Sequence, residues 1–121
     1  MADIKSLLIG TLMSMKYPVF LQGTLAADAA YPDSFFTFWN NSTDDKAHYD
    51  SDAAAWEWSF DVNFYSTDPD TVNEALLTAK GLLKAAGFIV GGKGHDLVSD
   101  EPTHTGRGLD VLYREENTRE V

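Results

Sequence analysis

Residues 55–90 restrict the possible folds of this chain more than any other stretch, because their hydrophobic period changes abruptly from two residues to a helical repeat. In the first part, apolar and polar side chains alternate strictly. The apolar set comprises Trp56, Trp58, Phe60, Val62 and Phe64, and the polar set comprises Glu57, Ser59, Asp61, Asn63 and Tyr65. This alternation predicts a half-buried strand with an aromatic core face and a polar outer face. No catalytic motif occurs elsewhere, so a functional interpretation has to begin from this scaffold.

The second part of the stretch predicts a helix with clear signals at both ends. Asp68 is a favourable N-cap residue, and Pro69 fits the first helical position. The apolar residues at helical spacing, which predict the buried stripe, are Val72, Ala75, Leu76, Ala79, Leu82, Leu83 and Ala86. Gly87 followed by Phe88 predicts a glycine stop with an apolar residue packing back onto the helix.

The rest of the chain supplies one more helix and several shorter strands. Asp3 can cap a helix that runs to about Lys16. The predicted strands cover residues 19–21, 34–40 and 108–114, an extended piece begins at 88–90, and loops cover 22–33, 41–52 and 91–106. We therefore expect a single domain over residues 1–121, with 115–121 as a frayed tail. The order α-β-β-β-α-β predicts an α+β fold, a predominantly antiparallel sheet of about four strands with two helices on one face.

Composition excludes several kinds of function. The chain contains no cysteine, which rules out disulfides, thiolate metal sites and cysteine nucleophiles. Its formal net charge of -10 disfavours contact with nucleic-acid phosphates and with anionic membrane surfaces. No stretch approaches the roughly 20 apolar residues needed to span a bilayer. We expect neither sequence-specific nucleic-acid binding nor membrane association, and solubility alone accounts for a charge of this size.

Two polar clusters contain residue types that occur in metal-binding or catalytic sites. The first contains Asp44, Asp45, His48, Asp50 and Asp52, and the second contains His95, Asp96, Asp100, Glu101 and His104. The first lacks the glycine and the terminal glutamate of an EF-hand calcium loop, so a solvated acidic loop explains it. No regular element orients the second, so an exposed loop, or one that contacts a neighbouring subunit, explains it better than a two-histidine site. We expect no metal, no cofactor and no catalytic residue.

Arg107 lies between Gly106 and Gly108 and has two interpretations. Its guanidinium could clamp a carboxylate, either in this chain or in a neighbouring one. It could equally be an outward-facing residue of the last strand. The sequence leaves both open.

Several segments together resemble the small tail proteins of long-tailed phages and prophages, in particular tail terminator and tail-completion proteins. The segments are YPVFLQGTL, SFFTFWNNSTDD, WSFDVNFYSTDPDTVNEALLTAKGLLKAAGFIV and DEPTHTGRGLDVLYRE. The resemblance covers residues 17–115 and rests on fold and composition rather than on a catalytic fingerprint. Neighbouring families of the phage neck share the general pattern.

The resemblance implies a non-enzymatic α+β subunit that assembles into a ring, typically hexameric, at the end of the tail tube. Its partners would be further copies of itself, the major tail tube protein and head–tail connector proteins. It would reside in the virion tail, and in the host bacterial cytoplasm during assembly. Six copies would carry a charge on the order of -60, and an acidic lumen would let DNA slide without sticking.

The family has no short motif to transfer, so candidate assembly contacts come from the residues themselves. They are Asp44, Asp45, His95, Asp100, Glu101, His104 and Arg107. Three alternatives stay open. The chain could be another neck or head–tail connector protein, a small ligand-binding module with the aromatic sheet face as a pocket floor, or a hydrolase built on His95 and His104.

Overall fold

The computed structural model describes residues 4–21, 32–49, 52–92, 94–97 and 103–116, and for 44–49, 52–54 and 116 it describes the backbone alone. These residues form two helices and six strands. In chain order the elements are α1 (Ile4–Met13), β1 (Val19–Leu21), β2 (Ser34–Tyr49), β3 (Asp52–Ser66), α2 (Pro69–Ala85), β4 (Ile89–Val90), β5 (His95–Leu97) and β6 (Thr105–Glu116). The expected α+β class is confirmed. Among the described residues, no helix is both long enough and apolar enough to cross a membrane.

The sheet is mixed and larger than the sequence predicted. Its strand order is β1-β2-β3-β6-β4, and β5 also pairs with β6. Most neighbours are antiparallel, but β1 runs parallel to β2, with Val19 opposite Phe36. A parallel neighbour needs a long connection, and residues 22–33 separate these two strands. The expectation of about four strands was wrong because β4 lies where only an extended piece was expected to begin, and β5 lies within the predicted loop 91–106, whose glycines and polar residues show no hydrophobic period.

The hairpin of β2 and β3 is much longer than predicted. Residues 41–49, expected to belong to a polar loop, instead continue β2, and β3 begins at Asp52. The pairing continues to Tyr49 opposite Asp52, with irregularities between Asn40 and Ser42 and again around Ala47. A ribbon that is not packed on a core has no need of alternating apolar residues, so its polar sequence was indistinguishable from that of a loop.

Both helices pack on one face of the sheet, as expected. Leu8 and Leu12 of α1 and Leu83 of α2 are fully buried against it. The aromatic core face of β3 is confirmed at Phe60, Val62 and Phe64, each with 0% of its surface exposed. Trp58 is only half-buried, and its ring stacks on Phe60 with the centroids 6.0 Å apart. The core therefore lies between the helices and the middle of the sheet, and it thins out towards the hairpin.

Both predicted ends of α2 are confirmed. Asp68 accepts a hydrogen bond from the Asp70 amide at 3.0 Å, and the helix starts at Pro69. At the other end Gly87 has φ +104°, and the Phe88 amide donates to the Leu83 carbonyl at 2.9 Å. This is a Schellman termination, which favours glycine because other residues rarely adopt that backbone conformation.

Other predicted boundaries shift. α1 ends at Met13 rather than at Lys16, since Lys16 itself has φ +67° and cannot continue a helix. Leu82, expected in the buried stripe of α2, is 37% exposed. The loop predicted over 91–106 contains β5 and the first residues of β6, and β6 continues through Glu115 and Glu116 into the stretch expected to be frayed. The Asp3 cap, residues 22–31 and residues 117–121 lie outside the described part of the chain.

Candidate functional site

The end of the sheet that carries the hairpin extends past the helical layer. Thr43, Trp58 and Tyr113 lie opposite one another across β2, β3 and β6, and the last two still pack against the core. Beyond this row lie residues 44–49 and 52–57, which we call the arm. From Trp58 to the start of β3, six residues of strand extend for about 20 Å. Among the arm residues with described side chains, none belongs to the core cluster.

Asp44 and Asp45, two of the predicted contact residues, lie on the arm. Their backbone pairs with Glu57 and Trp56 of β3. They therefore belong to an extended strand and not to a loop that could wrap around a calcium ion. The expectation of a solvated loop here was wrong in conformation, because the whole segment up to Tyr49 is paired.

Arg107 lies at the opposite end of the sheet, where β5 meets β6. Its guanidinium donates to the Asp96 carboxylate at 2.6 Å and to the Gly94 carbonyl oxygen at 3.1 Å. Of the two interpretations left open, the carboxylate clamp is the one observed, and the carboxylate belongs to the same chain. The Asp96 side chain is 89% exposed, so water screens the pair and its contribution to stability is small.

His104 is not a surface residue, which corrects its assignment to an exposed loop. It is 9% exposed, and its Nε2 lies 2.8 Å from the Pro32 carbonyl oxygen. Because a carbonyl can only accept, Nε2 carries the proton and donates. Its Nδ1 lies 3.0 Å from the Thr103 hydroxyl, and its ring packs edge-on against Phe35. His104 thus joins the start of β6 to the segment that precedes β2.

The remaining predicted residues separate from one another. His95 is exposed on β5, opposite Gly108. Asp100 and Glu101 lie outside the described residues. Within the described ranges, no group of three or more His, Asp or Glu side chains is arranged to hold a metal ion. Both ring nitrogens of His104 already have hydrogen-bond partners, so the suggested pairing of the two histidines is not seen.

A cleft between α2 and β6 was not predicted. It has a volume of about 150 Å³ and is lined by Asn73, Leu76, Leu77, Lys80, Arg107 and Leu109. Leu76 and Leu109, each 2% exposed, form an apolar floor, whereas Lys80 and Arg107 bring positive charge to the rim. Sequence reasoning missed the cleft because Lys80 belongs to a helix and Arg107 to a distant strand. Only the packing of α2 on β6 brings the two cations to one opening.

The arm and the cleft lie far apart on the subunit. Arg107 is opposite Phe64 in β3, whereas Asp45 is opposite Trp56 of the same strand. Eight residues of strand correspond to about 26 Å. The predicted contact residues that the structure describes consequently fall into two groups, one at each end of the sheet.

The polar outer face of β3 is only partly exposed. Asp61 lies beside Asp110 of β6 and accepts a hydrogen bond from Asn41 at 2.9 Å. Trp39, on the adjacent strand, is 48% exposed. Asn63, in contrast, is buried at 6% exposed, with its amide 3.4 Å from the Thr37 hydroxyl. The open part of this face is therefore acidic, and Asp61 lies between Glu57, where the arm begins, and Phe64, which is opposite Arg107.

Comparison with known proteins gives no direct indication of function. No family model matches the chain, and no significant match is found among curated proteins. Functional inference depends on the residues and the geometry described above.

Proposed function

We propose that this chain is a structural, non-enzymatic phage or prophage subunit, a tail terminator or tail-completion protein that forms a ring at the end of the tail tube. The resemblance in four segments over residues 17–115 supports this role. In this proposal the protein acts through contacts with further copies and with the major tail tube and connector proteins. It belongs to the virion tail, and it is present in the bacterial cytoplasm while the particle assembles.

The arm is the structural observation that favours an assembly role. It extends about 20 Å beyond the row of Trp58, and although Ala55 at its base is buried and pairs with β6, none of its described side chains belongs to the core cluster. Within the described residues, β1 pairs with β2 only at 36–38, so no strand covers the outer edge of β2 from Trp39 to Tyr49. Uncovered strand edges and protruding ribbons tend to find neighbours, which is a useful property in a subunit that must assemble.

The ligand-binding alternative receives less support. It required the aromatic sheet face as the floor of a pocket, but Phe60, Val62 and Phe64 on that face are buried beneath the helices. The hydrolase alternative required His104 as a working side chain, and its ring nitrogens are occupied by Pro32 and Thr103. The connector alternative differs from the proposal in partner rather than in mode of action.

Size-exclusion chromatography with light scattering tests the proposal. The purified chain, alone and mixed with the tail tube protein of the same phage, should form a defined ring visible by negative-stain electron microscopy. Rings that bind the end of tail tubes support a terminator or tail-completion role, whereas rings that bind only the head connector support the neck alternative. A chain that stays monomeric with either partner would overturn the proposal.

A further inference from the structure

We infer that the outer face of α2, which is turned away from the sheet, binds the same face of a second copy of this chain in an antiparallel two-fold contact. The face is formed by the exposed residues Glu74, Leu77, Thr78, Gly81 and Lys84. A two-fold contact closes at two copies. It is therefore separate from the head-to-tail contacts of the proposed ring and does not depend on them.

The outer face of α2 is apolar at its centre. The helix buries Val72, Ala79 and Leu83 on one side, and with 3.6 residues per turn Leu77 and Gly81 lie on the opposite side. Leu77 is 58% exposed. Half of the large apolar side chains that are exposed in the described part of the chain belong to the helices, namely Met13, Leu77 and Leu82. An apolar patch of this kind on a strongly charged chain is typical of a protein contact.

Gly81 leaves a hollow on this face. Nothing in the described part of the chain lies within 4 Å of the position that its Cβ would take. Glycine is a poorer helix former than alanine, and packing within the subunit does not require it here. In an antiparallel pair centred at the level of residue 79, Leu77 of each copy lies opposite Gly81 of the other. The missing side chain then gives the leucine room and lets the two helices approach closely.

The charges of α2 determine the direction of the pairing. The helix carries Asp70 and Glu74 in its first half and Lys80 and Lys84 in its second half. Antiparallel helices place acidic halves against basic halves, whereas parallel helices bring like charges together. The centre at residue 79 also places Glu74 of one copy opposite Lys84 of the other. The apolar pair and the charged pair thus require the same register.

Glu74 and Lys84 are available for this contact. Both side chains are exposed, and among the described residues neither forms a salt bridge. No residue of opposite charge lies three or four positions from either of them along α2, so they cannot pair within the helix. The helix dipole accounts for Asp70 in the first turn, but its effect does not extend to Glu74 one turn further on.

The expected dimer is weak and reversible. Stable interfaces bury about 1,200–2,000 Å² in total, and one helix face from each copy supplies less than that. We therefore expect a dissociation constant on the order of 10–100 µM. Sedimentation equilibrium of the purified chain, at concentrations on both sides of that range, measures it and distinguishes two copies from a larger ring.

Charge reversal tests the register. Glu74→Lys and Lys84→Glu each place like charges at two symmetric positions, so either single variant should raise the dissociation constant by about tenfold. A chain with both changes, and an equimolar mixture of the two single variants, should recover the dimer because each restores opposite charges. Glu74→Lys also lowers the net negative charge, so overall repulsion between copies would predict the opposite result for that variant.

A matched pair of apolar residues tests the centre of the face. Leu77 and Ile89 are 58% and 57% exposed. Ile89 alternates with the buried Val90 on β4, so it lies on the face of the sheet away from the helices. Leu77→Gln should raise the dissociation constant by about tenfold or more, whereas Ile89→Gln should leave it unchanged. Circular dichroism and thermal unfolding verify that each variant folds.

The outcomes separate this contact from the proposed function. A wild-type chain that stays monomeric throughout the concentration range, or a folded chain with both charge changes that does not recover the dimer, would overturn the two-fold contact. Dimerisation by Leu77→Gln as tight as that of the wild type would also overturn it. Rings that form with tube protein although no dimer exists would leave the proposed function standing. A dimer that never forms rings, with or without tube protein, would support the contact and overturn the proposed function.

Discussion

The aromatic ring of Tyr65 lies directly over the α-carbon of Gly106 on the neighbouring strand. The two residues are opposite each other in the pairing of β3 with β6, and a Cβ on Gly106 would come within 2.5 Å of the ring atom Cε1. Phe35 stacks on the same ring with the centroids 5.4 Å apart, which limits its movement. Phe35 is itself 2% exposed, although it lies outside the main core cluster. The absence of a side chain at Gly106 is therefore what permits this second, smaller cluster on the face of the sheet away from the helices.

Gly106→Ala should destabilise the protein. The new methyl group would have to displace a ring that is held by Phe35, and forced overpacking of this kind lowers the free energy of unfolding by about 1–3 kcal/mol. Urea denaturation followed by tryptophan fluorescence measures the change. Gly91→Ala is the matched control, because nothing lies within 4 Å of a Cβ at that position. Equal stability of the two variants would show that Tyr65 can move aside freely.

The parts of the fold that were predictable from sequence are those with a local physical cause. β3 alternates because one of its faces packs under the helices, and Phe60 and Val62 are fully buried as that alternation predicts. α2 was bounded correctly because Asp68 and Gly87 act on backbone groups within one turn of themselves. Signals of this kind do not depend on distant parts of the chain.

The parts that were not predictable depend on contacts between distant segments. The sequence of β2 in the arm predicts a loop because this strand does not pack on the core and so lacks alternating apolar residues. A polar residue such as Asp44 is compatible with a strand and with a solvated loop alike. Burial of His104 depends on Pro32, seventy-two residues away, and the cleft depends on Lys80 meeting Arg107. The sequence could therefore indicate which residues carry reactive or charged groups. It could not show which of them lie close together in the folded chain.

The two histidines that the sequence grouped together should respond differently to the same substitution. His104→Phe keeps an aromatic ring beside Phe35 but leaves the Pro32 carbonyl oxygen without its donor, which should lower the free energy of unfolding by about 1–2 kcal/mol. His95→Phe changes an exposed side chain on β5 and should alter the same quantity by less than about 0.5 kcal/mol. Chemical denaturation at neutral pH compares them. Equal losses in both variants would contradict the structural role of His104.

Alanine substitutions at Gly81, inside α2, and at Gly87, just after α2, should change the free energy of unfolding in opposite directions. Gly81 lies within the helix with open space around it, so Gly81→Ala should raise the free energy of unfolding by about 0.5–1 kcal/mol. Gly87 has φ +104° and lies 3.4 Å from the Tyr113 ring, measured from the position a Cβ would take. Gly87→Ala should therefore lower the same quantity by about 1–2 kcal/mol. Thermal and urea unfolding should agree on both signs, and a stabilising Gly87→Ala would contradict the Schellman termination.

Removing the N-cap of α2 should destabilise the helix on which the cleft is built. The Asp68 carboxylate accepts from the Asp70 amide at 3.0 Å and from the Thr71 hydroxyl at 3.1 Å, so Asp68→Ala leaves both donors without this partner. Loss of such a cap lowers the free energy of unfolding by about 1 kcal/mol. Asp68→Asn is the control, since its side-chain oxygen can still accept from the Asp70 amide and the loss should be smaller. Hydrogen exchange at the Asp70 amide provides a local readout: exchange should accelerate in the alanine variant and change little in the asparagine variant. Unchanged exchange and stability in Asp68→Ala would show that the first turn is held by packing of Val72 rather than by its cap.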